Sequence, residues 1–141
     1  MTTSILLVEN APADAEMTLG ALREGIPSVH WVRDGAEALE YLFGRGAYMV
    51  NQSPLPKVVL LALDLPKVDG LQVLKAVRGD IRTRWLPIVV LTSSHEESDL
   101  IRSYELGANA YVVKPVNAEN FRESVQTLSL FWTSLNRTTW E

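Results

Sequence analysis

Short apolar runs alternate along the chain with longer segments whose apolar residues recur every three or four positions. Ile5–Val8, Val29–Val32, Val58–Leu61, Ile88–Leu91 and Ala110–Val113 are four-residue runs rich in Val, Leu and Ile. Apolar at successive positions, most of them suit strands covered on both faces better than strands with one wet side. Between them, residues 14–24 carry Ala15, Met17, Leu19, Ala21 and Leu22 at roughly helical spacing, with Pro12 or Asp14 near the start and Gly25 and Pro27 as the stop. Ala36–Phe43 places Ala38, Leu39, Leu42 and Phe43 on one helical face and is closed by Gly44. Gly70–Val77 repeats the pattern with Leu71, Val73, Leu74 and Val77, and a fourth helix from about Glu96 to Leu106 ends at Gly107. Asn117 is the N-cap candidate of a last helix running to about Leu135. Five strands alternating with five helices predict βαβ crossovers and a doubly wound α/β architecture around a parallel sheet. Residues 44–57 form a long Gly/Pro/polar connection, read as an elaborated surface loop because neither flank could fold alone.

Composition narrows the classes. The 141 residues are 47% hydrophobic, which suits one domain, spanning 1–141, with a full core. No apolar run approaches the ~20 residues that a membrane-spanning helix needs. Thirteen basic against seventeen acidic residues give a net charge of −4, without a Lys/Arg-rich patch, so no nucleic-acid partner is expected. The absence of cysteine removes disulfides, thiol nucleophiles and Cys-ligated metals. MTTSILLVEN lacks the basic and apolar parts of a secretion signal, and a soluble cytoplasmic protein is the expectation.

In an open parallel sheet, functional groups gather outside the carboxyl ends of the strands. The candidates are therefore Glu9-Asn10, Ala62 to Asp64, Thr92-Ser93 and Lys114-Pro115. Three of these strands end in a polar residue, at Glu9, Thr92 and Lys114, whereas the run in VVLLALDLPKVDG (58–70) ends in the methyl group of Ala62. His30 and His95 have no second His at metal-ligand spacing, Ser93 and Ser94 lack a nucleophile elbow, and no glycine-rich loop follows the first strand.

The stretches ILLVEN (5–10), LDLPKVDG (63–70), VVLTSS (89–94) and ANAYVVKP (108–115) resemble the receiver domain of two-component response regulators. The long 44–57 connection and the Phe131-Trp132 ending are similar to single-domain regulators paired with bacterial phytochrome kinases. That resemblance implies a flavodoxin-like, CheY-like (βα)5 fold. It also implies a strand-three aspartate that accepts a phosphoryl group from a sensor histidine kinase, an acid pair that helps hold Mg²⁺, and a hydroxyl and a lysine on the phosphoryl oxygens. Carried onto this chain, Glu9 and Asn10 take the acid-pair positions, with Asp64 completing a weak or vestigial Mg²⁺ site. Thr92, beside Ser93, is the switch hydroxyl, Tyr111 the switch aromatic and Lys114 the phosphate-contacting lysine, with Lys114–Pro115 expected to be cis.

The acceptor position, four residues before Pro66, is Ala62. A methyl group cannot attack phosphorus, so no catalytic residue, enzymatic activity or required cofactor is expected. Asn10 offers an amide where the family has a carboxylate, and amides hold hard cations more weakly. Glu9 and Asp64 are expected to face Lys114 in a nearly balanced set that closes without an ion. The implied function is two-component signalling by non-covalent docking or dimerisation. No output domain is expected after residue 135. A phosphorylatable regulator using Asp64, or seen as an acceptor mutant, is the alternative, and a small α/β enzyme or ligand-binding protein is the reading from another class. Phe121, Val125, Leu128, Trp132 and Leu135 form one stripe at spacings of 4, 3, 4 and 3. With Phe131 off the stripe, they make the last helix the expected homodimer interface.

Overall fold

Five parallel strands lie in the order β2-β1-β3-β4-β5, where β1 is Ile5–Val8, β2 Val29–Val32, β3 Val58–Leu61, β4 Ile88–Thr92 and β5 Ala110–Val113. The computed structural model describes residues 3–23, 28–49, 55–115 and 117–138. The helices are α1 (Pro12–Leu22), α2 (Gly35–Phe43), α3 (Gly70–Arg78), α4 (Glu97–Glu105) and α5 (Ala118–Leu130), and the expected (βα)5 alternation is present. Gly25 and Pro27, read as the stop of the first helix, lie outside the described residues.

Side chains alternate across a strand, and here both faces are covered. Leu6, Val8, Val59, Leu61 and Val90 pack with Val73, Leu74 and Val77 on one side. Ile5, Leu7, Val58, Leu60, Val89 and Leu91 pack with Ala15, Leu22, Phe121 and Val125 on the other. Continuous apolar runs were required because neither face of these strands meets water.

The helices start where short polar side chains can occupy free N–H groups. Asp34 Oδ1 accepts from the Glu37 N–H at 2.8 Å before α2, and Asn117 Oδ1 accepts from Glu119 and Asn120 before α5. Asp69 and Gln72 form a reciprocal capping box on α3. Pro12 sits in the first turn of α1, where its missing N–H costs nothing. At the far end of α3, the Arg78 guanidinium donates to the carbonyls of Gly107, Leu86 and Arg84 and to Asn109 Oδ1, tying α3 to the starts of β4 and β5.

The expected helix to Leu135 is α-helical only to Leu130 and then widens into a π-helical turn, Phe131–Leu135. There the Thr133 hydroxyl donates to the Ser129 carbonyl at 2.6 Å, and Lys57 Nζ donates to the Thr133 carbonyl at 3.1 Å. Two of the six residues expected at a dimer interface belong to the core instead. Phe121 and Val125 are 3% and 0% exposed, because the α5 stripe is spent on the sheet face beside α1. Leu128 and Trp132 pack at the margin of the same cluster, whereas Phe131 and Leu135 stand exposed.

The long connection after α2 is anchored by a 3₁₀ turn, Gly46–Tyr48. Tyr48 Oη donates to Glu37 Oε2 at 2.8 Å and meets His30 Nε2 at 2.9 Å, and the His30 ring stacks on Tyr41 at 4.6 Å. Burial pushes His30 below its usual pKa, against the pull of Glu37. His30, which sequence reading left without a role, thus holds the loop to the edge strand.

Candidate functional site at the carboxyl ends of the strands

The parallel register brings the candidate residues to one rim. Val8 pairs with both Val32 and Leu61, and Thr92 pairs with Val113, so Glu9, Ala62, Thr92 and Lys114 are neighbours. Backbone bonds fix them there: the Glu9 N–H donates to Val32, the Ala62 N–H to Val8, and the Lys114 N–H to Thr92. A cavity of about 550 Å³ opens above, lined by Glu9, Asn10, Asp14, Ala62, Asp64, Thr92, Ser93 and Lys114 among others.

The β3–α3 loop keeps a demanding geometry around this cavity. Lys67 has φ 67°, a left-handed conformation unusual for a residue with a Cβ. Gly70 lies so close to the Ala62 carbonyl that a Cβ there would collide with it, so glycine is what lets α3 begin directly against the end of β3.

Lys114 is the electrostatic centre of the site. Its Nζ lies 2.6 Å from Glu9 Oε1 and 2.8 Å from Asp14 Oδ2. The side chains of Lys114 and Glu9 are 10% and 7% exposed, and that of Asp14 is 38% exposed. Burial works against the charged ammonium, but the hydrogen bonds to Asp14 and Glu9 outweigh it and hold Lys114 above its usual pKa. Glu9 is engaged on both oxygens, since Oε2 accepts from the Ala11 N–H at 3.2 Å. Its carbonyl accepts from the Trp31 indole at 2.8 Å, which places a fluorophore against the site.

The expected pairing of Asp64 with Lys114 is not what forms. Asp64 lies two residues beyond Ala62, exposed in the loop and, among the described residues, without an ion pair. Asp14, in the first turn of α1, reaches the ammonium instead. Sequence reading placed Asp14 only at a helix start; a carboxylate one turn into the helix after strand one was the available signal. The Lys114–Pro115 bond, expected to be cis, is trans here, the form favoured by about 0.5–1 kcal/mol for X–Pro bonds.

Thr92 is buried and its Oγ1 accepts from the Ser94 N–H at 3.1 Å. The Ser94 hydroxyl donates to Asp99 Oδ2 at 2.6 Å, and Tyr111 Oη donates to the Ser94 carbonyl at 3.3 Å. Threonine and tyrosine are thereby joined through one loop residue. Ser93 and His95 are exposed at the mouth of the cavity.

The divalent ion implied by the resemblance finds a poor donor set. Glu9 is committed to Lys114 and Ala11, Asn10 offers only an amide, and Ala62 presents a methyl group. Among the described residues, no group of three or more His, Cys, Asp or Glu could hold a metal. Hard dications select clustered carboxylates, and this arrangement does not supply them.

Comparison with known proteins gives the family. The family model for the response regulator receiver domain matches residues 5–126. Response regulator Rcp1 of Synechocystis sp. is 38% identical over 130 residues, covering 91% of this chain and 87% of that protein. Its manganese-bound crystal structure matches with a TM-score of 0.85. The phosphorylated cyanobacterial phytochrome response regulator RcpA is 37% identical and matches with a TM-score of 0.91, covering 99% of both chains. The bacteriophytochrome response regulator AtBRR is 51% identical, with a TM-score of 0.76 over 97% of this chain and 99% of its own. With its strand-end residues on one rim and its sheet in CheY-like order, the chain belongs to the receiver-domain family of response regulators and is related to the phytochrome response regulators.

Proposed function

We propose that this receiver domain acts in two-component signalling by docking a sensor histidine kinase, of phytochrome type, without accepting a phosphoryl group. One observation carries the reading. The acceptor position holds the methyl of Ala62, and the lysine that would meet a phosphoryl oxygen is already held by Glu9 and Asp14 at 2.6 and 2.8 Å. In-line transfer needs a nucleophile and uncommitted positive charge, and Ala62 and Lys114 supply neither at these positions. The relationship to RcpA and AtBRR supports the phytochrome-type kinase as partner, and a cytoplasmic location is part of the same proposal. Mg²⁺ binds weakly in this reading, because it must displace Lys114 from Glu9. The Trp31 indole on the Glu9 carbonyl reports it: saturation of the Trp fluorescence change at sub-millimolar Mg²⁺ would contradict the weak site.

A second reading rests on Asp64, an exposed carboxylate lining the same cavity with no ion pair among the described residues. It would make the chain a phosphorylatable regulator with a displaced acceptor. Phosphotransfer from a phytochrome-type kinase, measured beside its binding, separates the two: binding without transfer supports docking, and transfer to this chain supports Asp64.

Dimerisation is the companion proposal. Leu130, Phe131 and Leu135 are 58%, 46% and 64% exposed at the end of α5, an apolar group on the side of the helix away from the sheet. Light scattering at tens of micromolar should give the mass of a dimer; a monomer mass removes the idea.

A further inference from the structure

At the amino ends of the strands the charge balance is reversed. Between the ends of α2 and α3 lies a cavity of about 740 Å³ lined by Phe43, Arg45, Gln72, Lys75, Asp80 and Arg82. The Arg45 and Arg82 guanidiniums lie 5.0 and 5.1 Å from the centroid of the same Phe43 ring. Cation–π attraction holds each there, although their like charges repel.

Among the described residues, only Arg82 of these cations is ion-paired. Arg82 donates from Nε and Nη2 to the Asp80 carboxylate at 3.1 and 3.0 Å. Neither Arg45 nor Lys75 has a carboxylate within ion-pair distance among the described residues. Glu40, the acid nearest Arg45 in sequence, lies against Gly46 instead. Three cations thus face one carboxylate in a chain whose net charge is −4. The turn that carries Asp80 and Arg82 also holds out Ile81 and Trp85, 77% and 64% exposed, with the Arg84 guanidinium 5.3 Å from the Trp85 ring.

We propose that this groove and turn dock an acidic segment of a protein partner, with its carboxylates on Arg45 and Lys75 and an apolar side chain against Trp85. Exposed Trp and Arg side by side are the residues that dominate protein interfaces. A free inorganic anion would satisfy the cations but leave Trp85 and Ile81 in water. The number of unmatched cations falls short of the clusters of four to eight that hold anionic membranes, and the acidic chain as a whole is repelled from such surfaces. This surface lies at the opposite end of the sheet from Lys114, so it does not rest on the docking reading above and leaves the acceptor corner free.

The test uses the full chain and a fluorescein-labelled, acetylated peptide of alternating Glu and Leu at low ionic strength. Saturable anisotropy is expected, accompanied by movement of the Trp85 indole N–H resonance and lost on adding salt. R45E/K75E should weaken binding about tenfold or more by charge reversal. W85A should weaken it with an unchanged salt dependence. Both variants must keep the wild-type circular dichroism, which exposed positions allow. The proposal is overturned by the absence of saturable binding, by equal binding of a Lys-Leu peptide, or by unaltered affinity in folded R45E/K75E. Binding confined to phosphatidylglycerol vesicles or to inorganic pyrophosphate would overturn it as well.

Discussion

The two ends of the sheet handle positive charge in opposite ways. At the carboxyl end one lysine is buried between two carboxylates. At the amino end three cations share an open groove with one carboxylate. The difference follows from solvent. A buried ammonium must be matched within the chain or it does not stay charged, whereas exposed guanidiniums are solvated and can stay unmatched. The closed end has therefore spent its electrostatic interactions internally, and the open end retains them for a partner. In a receiver domain, that places the retained binding capacity away from the corner where phosphoryl chemistry is expected.

The largest effect should come from breaking the closed end. Lys114→Met leaves Glu9 buried and unpaired, and should cost about 3 kcal/mol in urea denaturation. A loss under about 1 kcal/mol would mean that water already shares the pair. Asp14→Asn, at the more exposed partner, should cost about 1 kcal/mol. R45E/K75E, at the open end, should change stability by less than about 0.5 kcal/mol while altering peptide binding. An equal loss at both ends would erase the contrast.

Protonation sharpens it further. Because the folded pKa of Lys114 is raised, its stabilisation is complete below the unfolded value near 10.5 and is lost as pH rises through the folded value. The stability gap between wild type and Lys114→Met should therefore hold from neutral pH to about pH 10 and narrow above it. The smallest effect belongs to the β2 edge, where His30 has a lowered pKa. Its neutral form is favoured in the fold, so stability should fall as pH drops below about 6.5, and His30→Phe should flatten that slope.

The central strands were legible because burial on both faces forces continuous apolar runs, and each of the five strands lies within one residue of its expected limits. Asn117 was legible as a cap because the preference for Asn before a helix is local. What escaped was set by contacts across the chain. Asp14 meets Lys114 across a separation of 100 residues, and its place in the first turn after strand one marks it as a candidate without naming its partner. Likewise, the stripe on α5 does not declare which of its members meet the sheet; Phe121 and Val125 do, and Leu135 does not. The methyl group of Ala62 was the clearest local signal, since it is a property of one side chain at one strand end.

Intact mass spectrometry of the full chain after incubation with acetyl phosphate and Mg²⁺ tests the central claim most directly. The mass should remain that of the unmodified protein, while Ala62→Asp, which restores a carboxylate at the strand end, should gain one phosphoryl group. A phosphoryl adduct on the unaltered chain, mapped to Asp64, would contradict the account.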